Sequence, residues 1–268
     1  MRAGDMFEIH YHLLFGVDDG PRDVSESLAL AEASIAEGVT HIVCTPHSNY
    51  EFRFNPDINM ERLALINEQL KGTLTLGMGC DLHLSYENIV DALHNHGKYT
   101  INGTRYLLVE LPDFFVFKSI SEGLRQLSAS GLIPIITHPE RNPLLVGEPS
   151  RLDEWIGIGC LTQITAGALL GRFGRRAEAF SFDQIRSNRV HLVASDAHSM
   201  DWRPPAMKDA AEVIKARCGE EVAQRLCIHN PRAVFFGESL PPQPNAKKSL
   251  NAIKAERSVL KSTFRRWW

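Results

Sequence analysis

Residues 132–138 read LIPIITH, a run of branched apolar side chains that closes on His138. A run this short and this apolar fits a strand buried on both faces of a parallel sheet. The same order, an apolar run followed by a group able to hold a cation, recurs along the chain. Residues 106–110 (YLLVE) close on Glu110, and residues 190–195 (VHLVAS) are followed by Asp196 and His198. Residues 7–12 (FEIHYH) close on His10 and His12, residues 40–45 (THIVCT) lead to His47, and residues 73–82 (TLTLGMGCDL) carry Asp81 near their end. A further strand is expected at 161–165 (LTQIT).

Helical spacing fills the intervals at 24–37, 56–70, 120–129, 151–158, 177–187 and 205–218. A last helix at 220–226 runs into 230–236. About seven βα repeats imply parallel strands with helices outside. The expected fold is therefore α/β, a TIM-like barrel with its site at the C-terminal strand face. A length of 268 residues suits one such domain, placed at 6–240. Residues 241–244 (PPQP) read as a short stiff linker, and the tail 241–268 holds a basic helix candidate from 246 onward.

Composition narrows the chemistry. The net charge is −3, but residues 241–268 hold seven Lys/Arg and one Glu, so the remainder carries −9. No basic groove for nucleic acid is evident on such a body. Five cysteines form no CxxC pair, which suggests free thiols in a reducing, cytoplasmic setting. Residues 1–30 hold acids and a proline without an apolar run, and no apolar run reaches 18 residues, so neither a secretory signal nor a membrane span is expected. A cysteine phosphatase loop needs Arg six residues after Cys. Here those positions are Tyr50, Tyr86, Ala166, Gln224 and Ala233, so that mechanism is not expected. Neither a GxSxG elbow nor a Walker A loop occurs.

The nine candidate metal ligands are His10, His12, Asp19, His47, Asp81, Glu110, His138, Asp196 and His198. His10 and His12 stand at i and i+2, which in a strand share one face. Each feature has an ordinary reading by itself. Asp18-Asp19-Gly20-Pro21 is a turn sequence, Asp196 could be a helix cap, and the histidines could be solvated loop residues. These readings weaken together, because the features fall beside successive strands that share one mouth. Imidazole and carboxylate without cysteine favour hard or borderline metals and hydrolysis. Arg141 and Arg203 follow two of these segments, and guanidinium forks match phosphate oxygens.

Residues 9–31 (IHYHLLFGVDDGPRDVSESLALA), THIVCTPH, LLVEL, ITHPERN and VASDAHSMDWRPP together resemble the PHP (polymerase and histidinol phosphatase) superfamily. More narrowly, they resemble the metal-dependent protein-tyrosine phosphatases of bacterial capsule and exopolysaccharide clusters, over residues 6–237. The resemblance implies a distorted (β/α)7 barrel with a trinuclear, usually manganese-dependent site; Fe, Zn, Mg or Co are the other candidates. It implies that His10, His12 and Asp196 hold a first metal and that Asp81 bridges it to a second, held by Glu110 and His138. Asp19, His47 and His198 would hold the third, and Arg141 and Arg203 would bind phosphate. The bridging position is usually Glu, and here it is Asp81, shorter by one methylene.

The expected function is hydrolysis of phosphotyrosine on a membrane-associated tyrosine kinase that controls polysaccharide export. A small-molecule phosphatase of the histidinol-phosphate type and a non-catalytic metal-dependent binding module are the alternatives. In the tail, Leu250, Ile253, Val259, Leu260 and Phe264 interleave with basic residues before Trp267-Trp268. That pattern suits peripheral contact with the inner face of a membrane, but a helix packed on the body or a disordered solubilising tail is the slightly favoured expectation.

Overall fold

The computed structural model describes residues 5–114 and 116–247. The expected tail helix and its membrane contact lie outside the described residues from 248 onward.

Among the described residues nine strands are interspersed with helices, and every pairing between them is parallel. They are β1 (Met6–Tyr11), β2 (Val39–Cys44), β3 (His47–Ser48), β4 (Thr75–Met78), β5 (Asp81–His83), β6 (Tyr106–Glu110), β7 (Ile133–Thr137), β8 (Leu161–Thr165) and β9 (Leu192–Ala194). They form two sheets, in the orders β1-β2-β4 and β3-β5-β6-β7-β8-β9.

The chain crosses from the first sheet to the second at two places. Thr45-Pro46 separates β2 from β3, and Gly79-Cys80 separates β4 from β5. Pro46 has no N–H to give a ladder. Its carbonyl still accepts from Asp81 N at 3.2 Å, and Gly79 N donates to Cys44 O at 2.9 Å. The strand expected at 73–82 is thus two strands bent at Gly79. A Cβ there would stand 3.1–3.3 Å from Val43, Ile101 and Thr45, so the tight approach favours glycine.

The opposite edges also touch. Asp196 N donates to His10 O at 3.1 Å, His12 N donates to Ala197 O at 2.9 Å, and Tyr11 bridges Ala197 in parallel. Tertiary packing therefore brings the first strand and the last strand together.

Local chemistry starts the helices where the sequence suggests. Asp23 caps Val24–Ala36 by accepting from Ser25 N and Glu26 N, and Asn55 with Pro56 opens Pro56–Leu70. Between 83 and 105, where no helix is expected, Tyr86–His94 is a helix capped by Ser85. Its nine residues are too few for periodicity to stand out. Pro143–Gly147, capped by Asn142, is likewise a helix beyond the expected ones. Strand residues such as Ile9, Val43, Leu108, Ile135 and Leu192 are fully buried, as parallel strands covered on both faces must be.

Candidate metal and phosphate site

All nine expected ligands converge. Among the described residues, four overlapping groups bring donor atoms within 4.8 Å of one another: His12, Asp19, His47 and His198; His10, Asp81 and His138; His10, His12 and Asp196; His47, Asp81 and Glu110. Every one of the nine belongs to at least one group.

Their placement differs from a simple series of strand ends. His10 lies inside β1 and His12 just beyond it, while Glu110 ends β6. His47 opens β3 and Asp81 opens β5, and the two residues are paired in register at the crossing between the sheets. His138 and Asp196 follow β7 and β9 with φ of 34° and 53°. Non-glycine residues in that region carry backbone strain. Here the turn directs each side chain toward the cluster.

The contacts are short and mostly buried. His10 Nε2 is 3.2 Å from Asp196 Oδ1, 3.5 Å from Asp81 Oδ2 and 3.3 Å from His12 Nε2. His47 Nδ1 is 3.3 Å from Asp81 Oδ2, and His47 Nε2 is 3.4 Å from Asp19. His198 Nε2 stands 3.2 Å from the same Asp19 oxygen, and His138 Nε2 is 3.6 Å from Glu110. Asp81 therefore reaches both His10 and His47 although it is shorter than glutamate.

Electrostatics show what the cluster lacks. Burial resists charge on His10, yet Asp81 and Asp196 outweigh it and raise its pKa to about 9. Burial also resists charge on His47, but the nearby carboxylates of Asp19 and Asp81 raise it to about 11. His12 goes the other way, down to about 3, through burial and then the neighbouring His198. Asp81 and Asp196 are held well below the usual carboxylate range, because His10 and other positive partners overcome their burial. The carboxylates thus draw positive charge into a buried space. Asp81 Oδ2, Asp196 Oδ1 and His47 Nδ1 are buried and make no hydrogen bond. Such atoms are costly unless something else pairs with them. A divalent cation fits that donor set and its charge.

Both arginines reach the cluster. Arg141 Nη1 and Arg203 Nη1 donate to Asp196 Oδ2 at 2.7 and 2.8 Å, and Arg203 Nη1 is also 3.2 Å from His198 Nε2. Arg141 further stacks over Phe173, 5.1 Å from its ring centre.

Four residues that sequence reasoning gave no role hold this arrangement. Asp18, almost wholly buried, accepts from His12 Nδ1 at 2.7 Å and also receives Gly20 N and His47 N. Gln163 Oε1 is 2.8 Å from His10 Nδ1. Glu8 accepts from Ser195 N, and Glu140 from Thr165 N. Burial pushes these last two carboxyls up, to about 8 and about 7. The doubled acid of DDG was a visible signal for Asp18; Gln163 had none. His83 comes within 3.8 Å of Glu110 but joins none of the four groups. The cysteines stay structural: burial pushes the Cys160 and Cys227 thiols up to about 12.

A family model described as capsular polysaccharide synthesis, CpsB/CapC, matches residues 6–236. The chain belongs to that family. A putative tyrosine-protein phosphatase CapC of Staphylococcus aureus is 38% identical over 243 residues, covering 89% of this chain and 94% of that protein. Tyrosine-protein phosphatase YwqE of Bacillus subtilis is 31% identical over 252 residues, covering 91% and 98%. In three dimensions the chain resembles a solved structure from a study of Bacillus subtilis YwqE and Streptococcus pneumoniae CpsB, described there as unique metal-dependent tyrosine phosphatases. The TM-score is 0.82 at 31% identity, with 90% of this chain and 100% of that one covered. A dihydropyrimidinase from Brevibacillus agri shares only the fold, with TM-score 0.56 and 10% identity over 92% of this chain and 74% of that one.

Proposed function

We propose that this protein is a metal-dependent protein-tyrosine phosphatase of capsular or exopolysaccharide synthesis. The observation that carries the reading is the meeting of Arg141 and Arg203 with a cluster of nine histidine and carboxylate side chains, in a chain whose relatives are named tyrosine phosphatases. The two crossings between sheets and the contacts of β1 with residues 196–197 support a distorted (β/α)7 barrel as the frame.

His10, His12 and Asp196 would hold one divalent ion, with Asp81 shared with a second held by Glu110 and His138. Asp19, His47 and His198 would hold a third. Asp19, His47 and His198 also gather with His12, and Asp81 gathers with His10 and His138, which supports that division. Bound divalent metal acidifies water for attack on phosphorus and offsets phosphoryl charge. Manganese is the ion we favour, because this chain's donors are imidazoles and carboxylates without cysteine. Arg141 and Arg203 would bind and orient the phosphoryl oxygens and neutralise charge as it develops. Asp18 and Gln163 keep the His12 and His10 rings in place, with Nε2 of each turned to the cluster.

The substrate is a phosphotyrosine protein, and the partner we propose is a membrane-associated tyrosine kinase in the cytoplasm. Among the described residues no helix is long and apolar enough to cross a membrane. The decisive experiment strips the metal, restores Mn²⁺ and compares a phosphotyrosine peptide with histidinol phosphate. Metal-restored turnover selective for the peptide is expected. Preference for histidinol phosphate would overturn the protein substrate, and bound metal without turnover would overturn catalysis. Phosphorylated kinase supplied to the active preparation tests the partner, which fails if the kinase keeps its phosphate.

A further inference from the structure

A cavity of about 550 Å³ opens directly beside Asp19 and His198, and its wall includes Met200 and Trp202. Both are exposed apolar side chains: Trp202 is 58% exposed and Met200 48%. Two exposed apolar side chains side by side at a cavity mark a candidate contact surface. The indole is not a floppy ornament. Arg203 bridges Ser199 in antiparallel fashion, and Arg203 O accepts from His198 N at 2.9 Å. Trp202 N donates to Ser199 Oγ at 3.3 Å. This tight turn folds the indole back onto the site. Its ring centre is 5.7 Å from that of His198 and 4.3 Å from the Arg203 guanidinium carbon.

Trp202 therefore touches two members of the site, lines the cavity and remains more than half exposed. A phosphate seated against Arg203 and His198 would leave its ester substituent close to that indole. In phosphotyrosine the substituent is a flat ring one oxygen away from phosphorus. We infer that Trp202, with Met200, forms an aryl subsite that receives the tyrosine ring and favours aryl over alkyl phosphate esters. Aromatic rings gain from offset or edge contact beyond simple burial, and a thioether adapts to a ring edge. The neighbouring Arg203 guanidinium pins one side of the indole by a cation–π contact, so little ordering remains to be done when a ring arrives. Trp202 is thus a positioning and specificity residue. The identity of the ring rests on the phosphatase reading; the subsite itself does not.

The test uses full-length, manganese-supplied protein and two non-hydrolysable probes that share the phosphonate: benzylphosphonate, which places its ring one atom from phosphorus, and methylphosphonate. Calorimetric titration gives the ratio of their dissociation constants. Benzylphosphonate should bind roughly three- to tenfold more tightly, the range expected for one aromatic contact. Trp202→Ala should remove most of that preference, and Trp202→Phe should keep most of it. Loss of a purely structural residue would weaken both probes alike and leave the ratio standing. A wild type without preference, or a Trp202→Ala ratio equal to the wild type, overturns the subsite. Turnover of a phosphotyrosine peptide is scored separately. A retained ratio without turnover sinks the phosphatase reading and supports the subsite.

Discussion

Asp18 Oδ2 lies 2.7 Å from His12 Nδ1, and both side chains are buried. The same carboxylate takes Gly20 N on its other oxygen, at 3.0 Å. An ionised acceptor at that point fixes the proton on Nδ1 and leaves Nε2 to face His10 and Asp196. Burial opposes charge on Asp18, but His12 holds its pKa below the usual value. In Asp18→Asn, an amide that still serves Gly20 N turns N–H donors toward the imidazole. Manganese affinity should fall about 10- to 100-fold, the usual effect of losing a ligand's partner. Titration calorimetry of stripped protein reads this directly, and an unchanged affinity would remove Asp18 from the metal site.

Arg141 and Arg203 share Asp196 Oδ2, yet they arrive from different loops. If they bind phosphate, each should act on substrate more than on metal. Arg141→Ala and Arg203→Ala should lower kcat/KM on a phosphotyrosine peptide roughly 10²- to 10³-fold, as for other lost charge-stabilising donors. Metal content should stay near that of the wild type. Lysine at either position should restore only part of the rate, because it keeps charge and loses the fork. Wild-type kcat/KM in either alanine variant would refute the role of that arginine.

Gly20 packs the DDG turn against the end of β1. A Cβ there would meet His12 O at 2.8 Å and Asp18 Oδ1 at 3.0 Å. A backbone carbonyl cannot move aside as a flexible side chain can. Gly20→Ala should therefore displace Asp18 and Asp19 together. We expect a stability loss of about 1–3 kcal/mol, as for other overpacking substitutions, with fewer bound ions per chain. Denaturant unfolding and metal analysis read the two effects, and a neutral substitution would contradict this close approach.

His191 offers a pH test away from the metal cluster. Burial, and after it Arg225, lowers its pKa to about 4 from 6.5. Its Nδ1 accepts from Thr162 N at 3.2 Å, which suits the neutral ring. The unfolded chain binds this proton first as pH falls. The contribution to stability is therefore complete above pH 6.5 and is lost as pH drops toward about 4. His191→Gln should flatten the decline across that window by up to roughly 3 kcal/mol relative to wild type. Parallel stability curves for the two proteins between pH 7 and 4 would rule out this assignment.

Much of the site was legible because its parts are unusual in sequence. His10-Tyr11-His12, the doubled acid at 18–19 and Asp196-Ala197-His198 each sit beside an apolar run, and apolar runs place strands. Strands β6 (Tyr106–Glu110) and β8 (Leu161–Thr165) were readable to within a residue. The bend at Gly79 was not, since a glycine in a strand looks the same whether the strand bends or merely weakens. Nor was the pairing of Gln163 with His10, which spans 153 positions. A lone glutamine carries no signal of what it will meet.

The sequence by itself determined the alternation of buried strands and helices, the chemical kind of every donor and the absence of a cysteine phosphate loop. These are local properties, fixed by side-chain type and period. Tertiary structure alone decided that β1 meets the end of β9, that His47 and Asp81 pair at the crossing of two sheets, and that two arginines converge on one carboxylate oxygen. Those relations depend on how the two sheets are set against each other. That arrangement is decided by packing summed over the whole core, which no short stretch of residues encodes.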